Sequence, residues 1–157
     1  MMKTQIFKPL LLASVALLMM ACNRPAFYDE SLSLNNDLWP KDEALTFKVN
    51  ITDTASAYRF FINVRNSTTY QYKNIYFFLS TEFPDGAMAK DTIECLLAAR
   101  DGSWLGKGSG KYRDNRIFIR ENINFPQKGT FTFRLNQAMR HEVLKGISEA
   151  GIRLEQQ

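Results

Sequence analysis

Histidine and cysteine are nearly absent from this sequence of 157 residues, which contains one histidine and two cysteines. A zinc site needs a cluster of His, Cys or carboxylate ligands at workable spacing, and these residues cannot supply one. A Ser-His-Asp triad would have to use His141, and no nucleophile-elbow sequence accompanies it. We therefore expect no metal site, no catalytic residues and no enzymatic activity, and we interpret His141 as a solvated surface side chain.

An excess of charge of one sign is also missing. The formal net charge is +4, but Lys3 and Lys8 lie in residues 1–21, which hold no acidic residue, so the rest of the chain carries +2. Its basic residues are scattered among acidic ones and form no footprint for nucleic acid. The stretch "GSWLGKGSGK" lacks the spacing of a phosphate-binding or dinucleotide-binding loop. We expect no nucleic acid, no cofactor and no small-molecule ligand.

The longest apolar run lies near the start of the chain. It extends from Leu10 to Met20, follows a positively charged beginning and ends at the small residue Ala21, directly before Cys22. The run is about half of the roughly 20 residues that a membrane-spanning helix requires. The sequence therefore predicts that residues 1–21 are a bacterial export signal with a lipoprotein processing site.

Cys22 is the predicted site of lipid attachment and the first residue of the mature protein. The position three before it usually carries Leu and here carries Met19, so the alternative is an ordinary secretory signal that leaves a free thiol. Two or three acyl chains would hold the protein stably on a membrane. Asn23 stands where some inner-membrane lipoproteins carry Asp, so we expect the outer membrane, with the periplasmic or surface face open.

Alternating apolar and polar residues dominate the rest of the sequence. They predict short strands, each with one face in a core, and "FPDG" at 83–86 predicts a hairpin turn. Seven or eight such strands with little helix indicate an antiparallel, jelly-roll-like β-sandwich. The predicted strands are 45–51, 58–64, 75–83, 88–97, the run "RIFIRENINF", the run "TFTFRLN" and the final "GIRLE". The predicted organisation is a signal peptide (1–21), a lipidated N-terminus and tether with one short edge strand (22–38), and the sandwich domain (39–157).

The parity of the strands also predicts which side chains share the core. Cys95 falls on an apolar face, so we interpret it as a small core residue and not as a reactive thiol. The segment before the last strand is ambiguous, since Met139, Val143 and Ile147 fall four apart and allow a short helical turn. The predicted core members are Phe60, Ile62, Phe77, Leu79, Phe131 and Phe133.

Three aromatic residues are the candidate binding residues. Trp104 and Tyr112 flank the glycine-rich loop, and Trp39 precedes the first confident strand. An exposed aromatic ring offers a large apolar area to a sugar or a partner chain. We therefore predict that the loop of residues 101–111 is an interaction surface centred on Trp104. The alternative is that the three rings cover the ends of the core.

Several blocks of the sequence carry a family resemblance when taken in order. After the lipoprotein signal come "FINVRN", "FPDG", "KDTIE", "DGSWLGKG", "NINFPQKGTFTFRLNQAMR" and "GIRLE". The ordered set resembles the gliding-motility lipoprotein family GldH of Bacteroidota over nearly the whole mature chain. The resemblance implies an envelope lipoprotein without known catalytic residues, whose partners are the membrane, through lipid on Cys22, and other gliding or envelope proteins. The alternative function is a carbohydrate-binding module of the cell envelope.

Two threonines fit a short modification pattern. Thr54 and Thr92 each lie in an Asp-Thr-apolar triplet, which resembles the O-glycosylation sites of some periplasmic proteins of the same phylum. Thr54, in a predicted loop, is the favoured site of the two.

The processing site gives a direct test. We expect the purified N-terminal peptide to begin at Cys22 and to carry lipid, because the charged start, the short apolar run and the Ala21-Cys22 junction together form a lipoprotein signal. Mass spectrometry of that peptide measures the modification. A peptide that begins at an unmodified Cys22 thiol would contradict the prediction.

Overall fold

The computed structural model describes residues 26–157, so the predicted signal peptide and Cys22 lie outside the described residues. Within this range the chain forms ten strands and one short 3-10 turn at Asn35–Asp37. The strands are β1 (Tyr28–Ser33), β2 (Leu38–Pro40), β3 (Leu45–Ile51), β4 (Tyr58–Ser67), β5 (Asn74–Glu82), β6 (Met88–Leu96), β7 (Tyr112–Ile123), β8 (Gly129–Gln137), β9 (Val143–Lys145) and β10 (Ile147–Gln156).

The strands pair as one long antiparallel ribbon. β1 pairs with β10, β2 with β9, β3 with β8, β4 with β7, and β5 with β6. The first half of the chain therefore runs back along the second half, and the turn of the ribbon is the predicted β5–β6 hairpin. The Phe83 amide closes that turn by donating to the Ala87 carbonyl at 2.8 Å, and Gly86 supplies its positive φ of 86°.

Two further pairings fold the ribbon into layers. β10 also pairs with β4, and β8 also pairs with β5. The results are two four-stranded sheets, with the orders β1-β10-β4-β7 and β3-β8-β5-β6, and the small β2-β9 pair. A folded ribbon of eight main strands in two packed sheets is a jelly roll. The predicted all-β antiparallel sandwich is confirmed.

The core lies between the two sheets. The burial of β3 alternates strictly between buried and exposed side chains, as its period of two predicts. Cys95 is fully buried, and burial raises the pKa of its thiol to about 12, as expected of a core residue. All six predicted core members are buried: Phe60, Ile62, Phe77, Leu79, Phe131 and Phe133.

The ambiguous segment before β10 is not helical. Residues 143–145 form β9, which pairs with β2, and Gly146 turns the chain with a φ of 94°. Leu144 is buried, whereas Val143 and Lys145 are exposed, which is the alternation of a strand. The helical turn that the spacing allowed therefore does not form. The run is too short to specify its own structure, and pairing with β2, which is distant in sequence, makes it a strand.

β1 is the short edge strand expected within the tether, and it is firmly attached. Its Asp29 carboxylate accepts from Arg153 of β10, and the Phe27 amide before it donates to the Leu154 carbonyl at 2.9 Å. Gly151 permits the close approach of the two strands, since a Cβ there would lie 2.1 Å from the Glu30 carbonyl oxygen. The folded structure therefore begins before Trp39.

The strand directions give the sandwich two distinct ends. The pairs Tyr28–Leu154, Tyr58–Ile123 and Ile51–Gly129 lie together at what we call the proximal end, where β1 begins. The opposite, distal end carries residues 68–73, 97–111 and 138–142, which connect the other ends of the strands. The predicted interaction loop therefore lies at the end of the sandwich farthest from the start of β1.

Phe131 tests the core. Its ring packs against Phe83 and Phe125, with centroids 5.3 and 4.7 Å away. Truncation to Ala should cost about 3 to 5 kcal/mol of unfolding free energy and lower Tm by about 10 °C or more. Thermal unfolding of Phe131→Ala measures this, with exposed Thr130→Ala as the control. Equal Tm values for the two variants would show that Phe131 does not support the core.

Candidate functional site

Residues 97–111 connect the edge strand β6 of one sheet to the edge strand β7 of the other, at the distal end. We call this segment the loop platform. It carries Trp104, and its backbone is tied down along its length. The Leu105 amide donates to the Leu97 carbonyl at 2.9 Å, and Lys107 and Asp114 exchange two backbone hydrogen bonds of 2.9 and 2.7 Å. The glycine-rich sequence thus forms an ordered structure and not a loose loop.

Gly106 is fixed by the side chain of Asn115. A Cβ on Gly106 would lie 2.7 Å from the Asn115 Oδ1 atom, so only glycine fits there without a rearrangement. Asn115 cannot easily withdraw, because it is buried and its Nδ2 donates to Asn66 Oδ1 at 2.9 Å and to the Val64 carbonyl at 3.1 Å. The middle of the loop platform is therefore locked onto β4 and β7.

The end of the loop platform is fixed by Asp37, in the 3-10 turn before β2. Its carboxylate accepts from Lys111 Nζ at 2.8 Å and from the Tyr112 hydroxyl at 3.1 Å. The Lys111 contact holds the pKa of Asp37 below its usual value. This tie is therefore complete above the ordinary pKa of an Asp and is lost as the pH falls through the lowered pKa of Asp37.

The structure separates the three predicted binding residues. Trp39 is fully buried, its Nε1 donates to the Glu43 carbonyl at 2.9 Å, and its ring packs on Phe77, so it covers the core. Trp104 is half-buried and packs against the core. Tyr112 is half-buried, with the Arg65 guanidinium 5.0 Å from its ring centroid. None of the ring pairs within residues 26–157 joins two of these three residues.

The exposed apolar residues of this region were not predicted from the sequence. Leu105 is 57% exposed and Leu96, at the end of β6, is 58% exposed. Both line a hollow of about 900 Å³ whose other walls include Ile117, Arg116 and Glu149. Leu105 lies in a loop, where periodicity specifies no face, whereas Leu96 falls on the face of β6 opposite buried Cys95, so the alternation of the strand agrees with its exposure. An ordered loop beside a hollow of mixed polarity is suited to contact with another macromolecule.

A second concavity opens on the side of the sandwich between β6 and β7. It has a volume of about 500 Å³ and an apolar floor that includes Phe60 and Phe133, while Ile93 and Ile119 form its walls. The inward-facing side chains of β6 and β7 are consequently less buried than those of the other strands. The sandwich is open along this edge.

Other predicted positions lie at the surface. His141 is exposed, and its Nε2 lies 2.5 Å from the Tyr72 hydroxyl. Thr54 is partly exposed in the loop after β3, and Thr92 is exposed on β6. Within residues 26–157 no three His, Cys, Asp or Glu side chains gather as a metal site would require. In the same range, no helix is long and apolar enough to cross a membrane.

This chain is similar to members of the GldH lipoprotein family. A family model described as GldH lipoprotein matches residues 26–154. The gliding motility lipoprotein GldH homolog of Christiangramia forsetii is 32% identical over 146 residues, which cover 88% of this chain and 89% of that protein. The gliding motility lipoprotein GldH of Flavobacterium johnsoniae is 31% identical over 153 residues, which cover 93% and 94%.

A solved structure also matches, far more weakly. Dimeric latent PorU from Porphyromonas gingivalis is 12% identical, and the match covers 87% of this chain and 13% of that one with a TM-score of 0.32. A score this low supports no argument about fold or function.

The close contact between Gly106 and Asn115 predicts the effect of adding a single methyl group at residue 106. In Gly106→Ala the added Cβ should push the loop away from Asn115 and break the paired hydrogen bonds between Lys107 and Asp114. We expect their amides to exchange at least about tenfold faster, as in a locally opened segment. Hydrogen exchange measures this, with Ser109→Ala, exposed in the same loop, as the control. Unchanged exchange in Gly106→Ala would show that the contact does not hold the loop.

Proposed function

The chain belongs to the GldH lipoprotein family, and from this we infer that it is a lipid-anchored component of the gliding-motility apparatus or of a related envelope assembly. We propose that it acts through protein contacts and not by catalysis. The lipid is attached at Cys22 and the membrane is the outer membrane. The observation that carries the proposal is the ordered loop platform, which exposes Leu105 beside a hollow.

The position of β1 supports anchoring at the proximal end. Phe27 is already docked, through its amide on Leu154 and its ring against Tyr58, 5.1 Å away. Five residue steps separate Cys22 from Phe27, and they span about 17 Å at most. The lipid would therefore hold the proximal end close to the membrane surface, and the loop platform lies at the opposite end of the sandwich.

The loop platform suits a protein partner because it is ordered in advance. A loop that is already fixed loses little conformational freedom on binding, so more of the contact energy contributes to affinity. Leu105 provides the apolar contact area, and Arg116 and Glu149 border the same hollow with opposite charges. An apolar centre with a charged rim is the usual arrangement of a protein interface.

Carbohydrate binding has less support. A sugar-binding platform would offer coplanar exposed rings, as stacking on a sugar requires. Among the ring pairs of residues 26–157, two contain an exposed ring: Phe61–Phe118, where Phe118 is 52% exposed, and Tyr72–His141, where His141 is exposed. Their planes meet at 66° and 40°, so neither pair forms a flat platform.

Leu105→Asp tests the proposal, because the exposed side chain contributes little to folding. We expect the free energy of unfolding to change by about 0.5 kcal/mol or less. Crosslinking of the full lipoprotein to its partner in intact envelope should fall at least about fivefold, as for a residue at the centre of an interface. Val143→Asp, at an apolar residue 43% exposed on β9, is the matched control.

A second variant separates contact from folding. Trp104→Ala removes a half-buried ring that packs against the core, so it should lower Tm as well as crosslinking, whereas Leu105→Asp should lower crosslinking alone. Pull-down yields and Tm values of the two variants decide between these outcomes. If Leu105→Asp and Val143→Asp both crosslink as the parent protein does, the loop platform is not the contact surface.

A further inference from the structure

β6 has a free backbone edge that is long and regular. It ends the sheet β3-β8-β5-β6 and pairs with β5 from Met88 to Leu96 with no register shift. The returning part of the loop platform meets the chain only beyond β6, at Leu97, whose carbonyl accepts from the Leu105 amide at 2.9 Å, and at Ala98, which bridges to Trp104. Within the described part of the chain, nine consecutive residues therefore border no other strand on one side, and such an edge is a template for pairing with another strand.

The hydrogen-bond pattern shows which residues serve this edge. The Phe83 amide donates to the Ala87 carbonyl at one end, and the Leu97 amide donates to the Lys73 carbonyl at 2.8 Å at the other. Along an antiparallel strand, residues whose backbone N–H and C=O groups bond to one neighbouring strand alternate with residues whose groups point to the other side. The odd-numbered residues of β6 therefore make the backbone hydrogen bonds to β5. The even-numbered residues have free N–H and C=O groups: Met88, Lys90, Thr92, Glu94 and Leu96.

The edge of β7 is protected where that of β6 is not. Its start is covered by the two hydrogen bonds between Lys107 and Asp114. Its other half carries two register shifts against β4, and Asn122 there has a φ of 56°. Bulges of this kind prevent pairing with a further strand. The two strands that border the open side of the sandwich are thus not equivalent.

β6 is complementary to itself in one antiparallel register. A two-fold axis beside Thr92 places Thr92 opposite Thr92 of a second copy, Lys90 opposite Glu94, and Met88 opposite Leu96. Each pair occurs twice about the axis, and opposite charges and apolar pairs directly across an antiparallel ladder are stabilising. Met88 and Leu96 are 59% and 58% exposed, the two highest values among the exposed large apolar side chains of residues 26–157.

Neighbouring registers lack this complementarity. An axis beside Asp91, Lys90 or Glu94 would place that residue opposite its own copy, and like charges directly opposite each other are destabilising. An axis beside Ile93 would place Lys90 opposite Leu96. With the axis at Thr92, Asp91 faces Ile93 on the inner side, so no like charges meet there.

We propose that two copies of this chain pair through β6 in the Thr92 register and join their sheets into one antiparallel sheet of eight strands. The paired β6 strands run in opposite directions, so the two proximal ends lie at opposite ends of the dimer. Both lipids reach one membrane when the two-fold axis stands along the membrane normal and the strands lie along its surface. The even-numbered residues then exchange backbone hydrogen bonds across the axis.

Disulfide capture in membranes of cells that express the full lipoprotein tests the register. Directly opposed residues have Cα atoms about 5.5 Å apart, which suits a disulfide. We expect Thr92→Cys to give a covalent dimer under mild oxidation with copper-phenanthroline. Lys90→Cys is the matched control, since the two Lys90 positions would lie about 14 Å apart, beyond reach. Equal dimer yields for the two variants would overturn the proposal.

Charge reversal gives an independent measurement on the detergent-solubilised lipoprotein. Lys90→Glu places Glu opposite Glu94 twice and should raise the dimer dissociation constant about tenfold in sedimentation. The double variant Lys90→Glu with Glu94→Lys restores both pairs and should recover the parent value. A dissociation constant that is unchanged by the single reversal, or not recovered by the double one, would overturn the proposal. These readouts are independent of any other envelope protein, so they are distinct from the outcome of the Leu105 experiment.

Discussion

The antiparallel pairing of the first half of the chain with the second half is the constraint on which the rest of the structure depends. Among the paired strands of residues 26–157, only β5 and β6 are joined by a short turn, and each further pair of the ribbon closes a longer loop, up to β1 with β10. Long loops cost more chain entropy to close, so the outer pairs form stably only when the core supports them. The buried aromatic and aliphatic residues between the two sheets supply that support, since burial of apolar area is the main favourable contribution to folding.

The same pairing places the loop platform and the open edge. Since β6 ends one sheet and β7 ends the other, the chain between them has to cross from sheet to sheet at the distal end. It crosses with its backbone bonded to Leu97 and Asp114 and with Gly106 against Asn115. The two sheets do not close onto each other along this side, which leaves the apolar concavity between Ile93 and Ile119. The candidate contact surfaces therefore follow from topology more than from any single motif.

The sequence predicted local features well and distant pairings poorly. The alternation in residues 45–51 and the turn signal at 83–86 depend on near neighbours, and both gave the correct elements. Residues 143–145 form a strand because they pair with β2, about a hundred residues away in the sequence. The spacing of Met139 and Val143 contains no information about that pairing. The ordering of the loop platform likewise depends on the contact of Gly106 with Asn115 across a bend, whereas glycine content alone indicates flexibility. Strand order could not be derived because periodicity specifies the face of a strand and not its neighbour.

The attachment of β1 has a mechanical consequence. β1 begins at the proximal end and lies antiparallel to β10 over six residue pairs, with Asp29 held by Arg153 and the Gly151 contact drawing the strands together. A pull on the start of β1, directed along the strand and away from the sandwich, shears the ladder and loads its hydrogen bonds together. A pull at right angles would peel the strand away one bond at a time. A lipoprotein tethered in this way resists force best in the direction in which its own anchor transmits it.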